Sequence, residues 1–475
     1  MRVIFIFYFF TTPLAFAKTK EKKIDFAEST ATLTASKMSA DQDSPWFITP
    51  EDSVQGLATY IGNNLFITTS GLAARSTQIS LKMMNDSKKF TVTPVHVDIE
   101  RGLAIVKAEN LPPTLPPAIF SGDVKEGVEV NFLVRKFKST QISRFSGRIF
   151  DVVAQRAPGG LSFLPFYLVK SQSKYSGRGE PVYVDNQLAG ITVGLDDDSM
   201  MVVPARLIKE CLNQYEKKQP PAISRLGIMY HSLQSPHHRA YLRVPQNVDG
   251  VVVEKIFDTK SPFKKDDVIT KIAGYPIDNE GNIRHPDWGI IHFSAMIIAH
   301  DIQDKIEVKV FRQGEEVMLD TGLINVDPDQ YLIPSLLQTI EVPYFVFAGL
   351  VFRNLDLQYL EGFGREWYKK APAHFLKLWF YSNDFEISKK RVVVLQRVLP
   401  DTVNLGFETE ENLILTRVNN ETCESLSECE KLMRKSLGKH KDFTSLRFTE
   451  GSEFVVLNDD ALQAEKRIHK LYQIP

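Results

Sequence analysis

The chain has 475 residues, a formal net charge of -1 and a charged fraction of 24%. This near-neutral balance argues against a nucleic-acid partner, because nucleic-acid binders carry a basic face or tail. At roughly 150 residues per domain, the length predicts about three domains. The hydrophobic fraction of 43% is ordinary for globular protein, so several cores can form without disulfide staples.

The first residues have the pattern of a signal peptide. Arg2 precedes an apolar run over 3–16 that is too short to span a bilayer comfortably. Ala15-Phe16-Ala17 fits the small-x-small rule of signal peptidase. We predict a signal peptide over 1–17 and an exported protein, periplasmic or secreted. The alternative is a retained N-terminal anchor, which also puts the body of the protein outside the cytoplasm.

The next segments differ in composition. Residues 18–44 are polar, rich in Thr, Ser and Ala, and without a clear period, which predicts a flexible leader. Residues 45–218 contain many short β-rich runs separated by turn residues, which indicates a β-barrel or sandwich. A charged, proline-containing linker follows at 217–221.

Two further segments, 223–326 and 327–475, share one organisation. Each opens with a Gly-flanked apolar strand and continues with a second apolar strand and a strand–turn unit. The opening strands are Leu226-Gly227-Ile228 in the first segment and Gly349-Leu350-Val351 in the second. We interpret the pair as a diverged repeat of an α+β module. The predicted fold is therefore mostly β with α+β modules.

Taken together, these segments resemble the Deg/HtrA serine protease family, in which a trypsin-like double β-barrel precedes PDZ domains. Ile67-Thr68-Thr69 and Leu103-Ala104-Ile105 match the strands beside the family's histidine and aspartate. In the first repeat, Ser261-Pro262, Asp267, Ile269 and Gly274 stand where the family's PDZ domains carry S-P, G-D-x-I and N/D-G. The resemblance implies a trypsin-like domain over 45–218, a first PDZ domain over 223–326 and an extended second PDZ-like domain over 327–475.

The resemblance places the catalytic triad on residues that cannot perform its chemistry. The family's base in T-N-x-H-V corresponds to Gly71, its acid in D-[IL]-A to Gly102, and its nucleophile in G-N-S-G-G-P to Arg178. A triad needs a nucleophile, a base and an orienting acid, and arginine has no nucleophilic oxygen. The resemblance thus implies a serine endopeptidase homologue without catalytic residues, metal or cofactor.

Two hypotheses concern what replaces the triad. Arg178 and Glu180 are expected to pair across the turn and plug the old pocket. A displaced triad would have to use His96 and Asp98, which share one strand face, with Ser173 or Ser176 near Arg178. The interpretation that we favour for these last four residues is an ordinary strand and loop.

PDZ domains bind an extended peptide as an added strand, and a backbone loop receives its C-terminal carboxylate. The resemblance implies this role for Leu226, Gly227 and Ile228, and for 349–351 in the second module; the alternative is that both loops are tight turns. It implies as partners unfolded or envelope proteins, peptide C-termini, further copies of the chain in a trimer or multiple, and an active Deg/HtrA protease.

The predicted function is that of an exported pseudoprotease acting as scaffold, holdase or regulator. One alternative is an active serine endopeptidase of protein quality control that uses a displaced nucleophile. Another is a structural envelope component whose PDZ grooves are closed. An oxidising compartment would permit a Cys423–Cys429 disulfide, and the alternative is two small, semi-buried apolar residues.

Overall fold

The computed structural model describes residues 28–475 except 51–52, 85–87, 112–114, 136–141, 161, 173–174, 259, 299, 301–303, 327–330, 335–339, 365, 381–389 and 438–441. The predicted signal peptide and residues 18–27 of the predicted leader lie outside the described residues. Within the described ranges, no helix combines the length and the apolar character needed to cross a membrane.

The first domain begins with a closed β-barrel. Its strands run in the order β1-β3-β4-β7-β6-β5, the β1–β5 pairing closes the ring, and β2 extends β1. The elements are β1 (Thr30–Ala40), β2 (Ile48–Pro50), β3 (Val54–Gly62), β4 (Leu65–Thr69), α1 (Ser70–Ala73), β5 (Ser76–Met83), β6 (Lys89–Asp98) and β7 (Leu103–Ala108).

The flexible leader predicted over 18–44 is wrong in its described part. Strand β1 pairs with both β3 and β5, and Ala31, Leu33 and Ala35 are fully buried. These side chains alternate with more polar ones along the strand, as expected when one face of a strand packs on a core. Because the segment is rich in Thr and Ser, the alternation of buried and more exposed side chains was not evident from the sequence.

The second barrel closes through six strands in the order β10-β13-β12-β11-β8-β9, with β9 paired back to β10. Helix α2 follows it and buries Leu207, Ile208 and Cys211. The elements are β8 (Glu129–Arg135), β9 (Ile142–Arg156), β10 (Phe163–Lys170), β11 (Pro181–Val184), β12 (Gln187–Asp196), β13 (Ser199–Pro204) and α2 (Ala205–Glu216).

The first α+β module is built on the sheet β15-β16-β17-β21-β22, while β14 pairs with β23. Asp266 has a φ of 70°, which explains why the resembling family carries glycine at this position. The elements are β14 (Ile223–Arg225), β15 (Ile228–Ser232), α3 (Pro236–Tyr241), β16 (Val251–Ile256), β17 (Val268–Ile272), β18 (Tyr275–Pro276), β19 (Asn282–His285), β20 (Gly289–His292), α4 (Ser294–Ile297), β21 (Lys305–Arg312), β22 (Glu315–Gly322) and β23 (Ile324–Val326).

The second module repeats this path as β25-β26-β27-β29-β30, with β24 added beside β25. The predicted repeat is therefore confirmed at the level of strand order. The elements are β24 (Tyr344–Phe347), β25 (Leu350–Asn354), α5 (Leu357–Glu361), α6 (Trp367–Lys370), α7 (Ala373–Phe380), β26 (Val393–Val398), β27 (Leu413–Val418), β28 (Glu421–Thr422), α8 (Leu426–Leu437), β29 (Phe443–Phe448), β30 (Glu453–Leu457) and α9 (Asn458–Tyr472).

One disulfide and one set of noncovalent contacts hold the second module in place. The Sγ atoms of Cys423 and Cys429 are bonded at 2.09 Å, which ties the start of α8 to the preceding loop. The loop between β1 and β2 also reaches the module, because the Trp46 indole N–H donates to the Tyr472 carbonyl at 3.1 Å. The Trp46 ring lies 5.7 Å from the Tyr344 ring. The first barrel is thus anchored to the C-terminal part of the chain.

Candidate functional site

The three positions that the family resemblance assigns to a catalytic triad lie around the cleft between the two barrels. Gly71 stands in α1, and the N–H of its neighbour Ser70 donates to the Gly102 carbonyl at 2.8 Å. The Arg178 carbonyl accepts the Leu57 N–H of the first barrel at 2.9 Å. These contacts bring the three positions near one another, but two positions have no side chain and the third carries an exposed arginine.

The Glu180 carboxylate accepts hydrogen bonds from two backbone N–H groups of the cleft. Its Oε1 accepts the Ser176 N–H at 2.8 Å and the Ser176 hydroxyl at 2.5 Å, and its Oε2 accepts the Arg178 N–H at 2.7 Å. The side chain is only 1% exposed. In a serine protease, the N–H groups at these two motif positions form the oxyanion hole. Here an internal carboxylate already satisfies both.

This arrangement corrects the expected pairing of Arg178 with Glu180. Glu180 does plug the old pocket, but it contacts the backbone N–H of Arg178. The loop conformation requires glycine beside it, because Gly179 has a φ of +88° and a Cβ there would lie 2.2 Å from the Leu57 carbonyl oxygen. The loop is thus locked against the first barrel around the internal carboxylate.

Gly71 and Gly102 differ in the space that their surroundings leave for a side chain. A Cβ at Gly71 would meet nothing within 4 Å. Gly102 has a φ of +70°, and a Cβ there would lie 3.2 Å from Val193 and 3.3 Å from Ala157. A histidine at position 71 therefore fits the present backbone, whereas an aspartate at position 102 strains it.

Of the residues considered for a displaced triad, His96, Asp98 and Ser176 are described, and each has other surroundings than a triad would give it. Both Asp98 carboxylate oxygens bind Arg101, at 2.9 Å to its backbone N–H and 2.5 Å to Nη1. His96 has a buried Nε2 without a hydrogen-bond partner, and burial lowers the pKa of its ring. Ser176 binds Glu180, and Ser173 lies outside the described residues. With Cys211, His96 and Asp98 form the one cluster of three potential metal ligands found in the described ranges.

A groove lies between the first α+β module and the second barrel. Its cavity measures about 490 Å³ and is enclosed by β15, by α4 and by the ends of β9 and β10. Strand β15 pairs with β16 along one side and forms the edge of its sheet on the other. Of the predicted peptide-binding residues, Leu226 and Ile228 line this groove, and Gly227, with a φ of +69°, lies between them. The apolar lining is completed by Tyr230, Phe293, Ile297 and Ile298.

The wall formed by α4 and β20 is neutral. The His292 ring bridges the Tyr230 hydroxyl, 3.2 Å from Nε2, and the Ser294 hydroxyl, 2.9 Å from Nδ1. Burial lowers the pKa of His292, which keeps the ring uncharged near neutral pH.

Two arginines give the groove a positive end. Arg225 Nη2 donates to the Ser162 hydroxyl at 2.6 Å, and the Arg156 guanidinium lies 4.8 Å from the centre of the Phe163 ring. Loss of water contact lowers the pKa of Arg156; the charge of Glu100 opposes this shift and that of Arg225 adds to it. Sequence reasoning missed this feature, because Arg156 and Arg225 lie on different domains and far apart in the chain.

Over its described residues, the second module shows no open groove beside β25 at Gly349, Leu350 and Val351, where the sequence predicted peptide binding. Ala348 and Gly349, with φ values of 48° and 83°, form a tight hairpin turn that pairs β24 with β25. Leu350 and Val351 are fully buried. Strand β24 therefore occupies the edge of β25, and only about 10 Å³ of cavity remains between β24, α8 and α9.

The fold is a trypsin-like double barrel followed by two α+β modules that share a strand order, and the second module matches a known domain family. The family described as PDZ domain matches residues 333–475. The mitochondrial Do-like 3 protein of Arabidopsis thaliana is 22% identical over 82% of this chain and 69% of its own length. Protease Do-like 2, chloroplastic, of the same organism is 22% identical over 80% of this chain and 63% of its own length.

Among solved structures, the HtrA-type protease AlgW with decapeptide matches 64% of this chain and 97% of its own, at 16% identity and a TM-score of 0.47. The serine endoprotease from Yersinia pestis matches 63% of this chain and 95% of its own, at 13% identity and a TM-score of 0.41. On the sequence relatives and the PDZ match, the chain is a homologue of the HtrA/Deg proteases.

Proposed function

We propose that this chain is an exported, catalytically inactive HtrA/Deg homologue that binds the C-termini of unfolded or envelope proteins through its first PDZ-like module. It acts as a scaffold, holdase or regulator. The observation that carries the proposal is the Glu180 carboxylate seated on the N–H groups of Ser176 and Arg178.

Two separate losses of transition-state stabilisation support this proposal. Removing one oxyanion-hole donor typically slows turnover about 10²–10³-fold, and here both donors are occupied by a negative charge. Removing a triad costs about a million-fold. Either loss alone makes proteolysis very slow, so retention of the open groove beside β15 points to binding.

The test compares three proteins for casein degradation and for labelling by a fluorophosphonate probe of serine nucleophiles. The first is the wild type. The second is the triple variant Gly71→His/Gly102→Asp/Arg178→Ser, and the third adds Glu180→Gly. We expect the wild type and the triple variant to stay inert, because Glu180 still fills the oxyanion hole. The fourth substitution is expected to allow labelling.

The matched control adds Glu126→Gly to the triple variant, because Glu126 is an exposed loop residue away from the cleft. This control should remain unlabelled. Casein cleavage by wild type that is free of contaminating proteases would overturn the proposal. Equal labelling of the triple and quadruple variants would show that Glu180 does not block the oxyanion hole.

Assembly belongs to the same proposal. We expect a trimer or larger homo-oligomer, or co-assembly with an active HtrA/Deg protease. Size-exclusion chromatography with light scattering, on the chain alone and mixed with such a protease, measures both. A monomer that forms no complex in the mixture would contradict this part.

A further inference from the structure

The positive end of the groove is built from two domains. Arg225 ends β14, directly before the Leu226-Gly227 loop, whereas Arg156 ends β9 of the second barrel. Both side chains line the same cavity. The loop end of the groove is where a peptide added beside β15 would place its C-terminus.

Each guanidinium is held in place before any ligand arrives. The Ser162 hydroxyl accepts from Arg225 at 2.6 Å, and the Phe163 ring lies under Arg156 at 4.8 Å. Ser162 is itself fixed, because its N–H donates to Glu100 Oε2 at 2.8 Å. Pre-organised donors lose little side-chain entropy when an anion binds.

The charges that act on Arg156 favour a carboxylate ligand. Arg225 acts on Arg156 as a like charge, and Glu100, 3% exposed, acts on it as an opposite charge. A ligand carboxylate at this end of the groove relieves the repulsion between the two arginines.

We propose that Arg156 of the second barrel, together with Arg225, receives the C-terminal carboxylate of the bound peptide, so that the ligand bridges barrel and module. This inference rests on the proposed function, because it names the chemistry by which the same groove selects its partner. The partner is a polypeptide with a free, apolar C-terminus, and an internal segment of a chain is rejected.

The test measures fluorescence anisotropy with one labelled heptapeptide ending in valine, prepared as the free acid and as the C-terminal amide. Wild type is expected to bind the free acid about thirtyfold more tightly than the amide, the usual size for a charge-assisted contact. Arg156→Gln should weaken free-acid binding about tenfold and leave amide binding within about twofold. Arg156→Lys should recover part of the ratio, because it keeps the charge without the planar fork.

The control is Arg148→Gln, which removes the same charge from an exposed site on the same strand outside the groove. Its ratio of free-acid affinity to amide affinity should equal that of wild type. If Arg156→Gln also keeps the wild-type affinity ratio, the inference is overturned. The proposed function then stands, with the backbone loop as the sole receptor for the carboxylate. Failure of wild type to bind either peptide overturns the proposed function and this inference with it.

Discussion

The two PDZ-type modules share a strand order but differ at the edge where a peptide would bind. In the first module, β14 pairs with β23 in a separate two-stranded sheet. The outer edge of β15 therefore faces an open groove. In the second, the preceding strand β24 turns back at Ala348-Gly349 and pairs with β25. The course of the few residues before the loop therefore decides whether the edge strand of the sheet is open, as in the first module, or covered, as in the second.

The second module also contacts the first barrel. Its residues Tyr344 and Tyr472 hold Trp46 from the first barrel. The second module therefore contacts the first barrel, and the open edge of β15 in the first module fits the proposed peptide ligand.

The largest expected effect is on the hairpin that closes the second module. In Gly349→Val, a β-branched residue would take a φ of +83°, and its Cβ would lie 2.3 Å from Asn404 Nδ2. We expect the free energy of unfolding to fall by about 3 kcal/mol in urea titration. Gly314→Val is the control, because it has a φ of +98° but open space around it, and should cost about 1 kcal/mol. Equal losses would mean that the hairpin is not tightly packed.

The next effect is on the open groove of the first module. Ile228→Glu places a charge in the apolar lining, so peptide affinity should fall about thirtyfold, or about 2 kcal/mol, in anisotropy measurements. Ile290→Glu changes a 64% exposed isoleucine of the same module outside the groove and should leave affinity unchanged. Unchanged binding in Ile228→Glu would move the peptide site away from β15.

The smallest effect concerns pH. Burial lowers the pKa of His292 below its ordinary value of 6.5, so the unfolded chain binds a proton that the folded chain does not. The free energy of unfolding therefore falls as the pH drops through 6.5 and levels off below the folded-state pKa. In urea titrations from about pH 7.5 to about pH 5, His292→Gln should lose less stability than wild type. Parallel curves for the two proteins would show that His292 does not contribute.

The repeated strand order was accessible from sequence, because both modules carry short strand and turn motifs in the same order. The triad positions rest on motifs at fixed spacing and stay a prediction. The β24 hairpin was harder. The turn is Ala348-Gly349, whereas the dipeptides that announce such a turn are Asn-Gly and Asp-Gly. The aromatic and β-branched run Tyr344-Phe345-Val346-Phe347 before it was an available signal for a strand.

Other features required the folded loop and the assembled domains. Sequence placed Glu180 beside Arg178, but only the positive φ values of Gly177 and Gly179 turn its carboxylate onto backbone donors. Arg156 and Arg225 meet because the second barrel packs against the first module. Motif reasoning within one domain does not reach a site that two domains share.

The central claim is one open peptide groove and no working protease, and one titration followed by mass spectrometry tests both halves. An unlabelled free-acid peptide would be titrated into the full chain by calorimetry, and the sample then analysed for peptide fragments. The account predicts one site per chain and intact peptide. Two sites per chain would contradict the closed second module, and cleaved peptide would contradict the loss of catalysis.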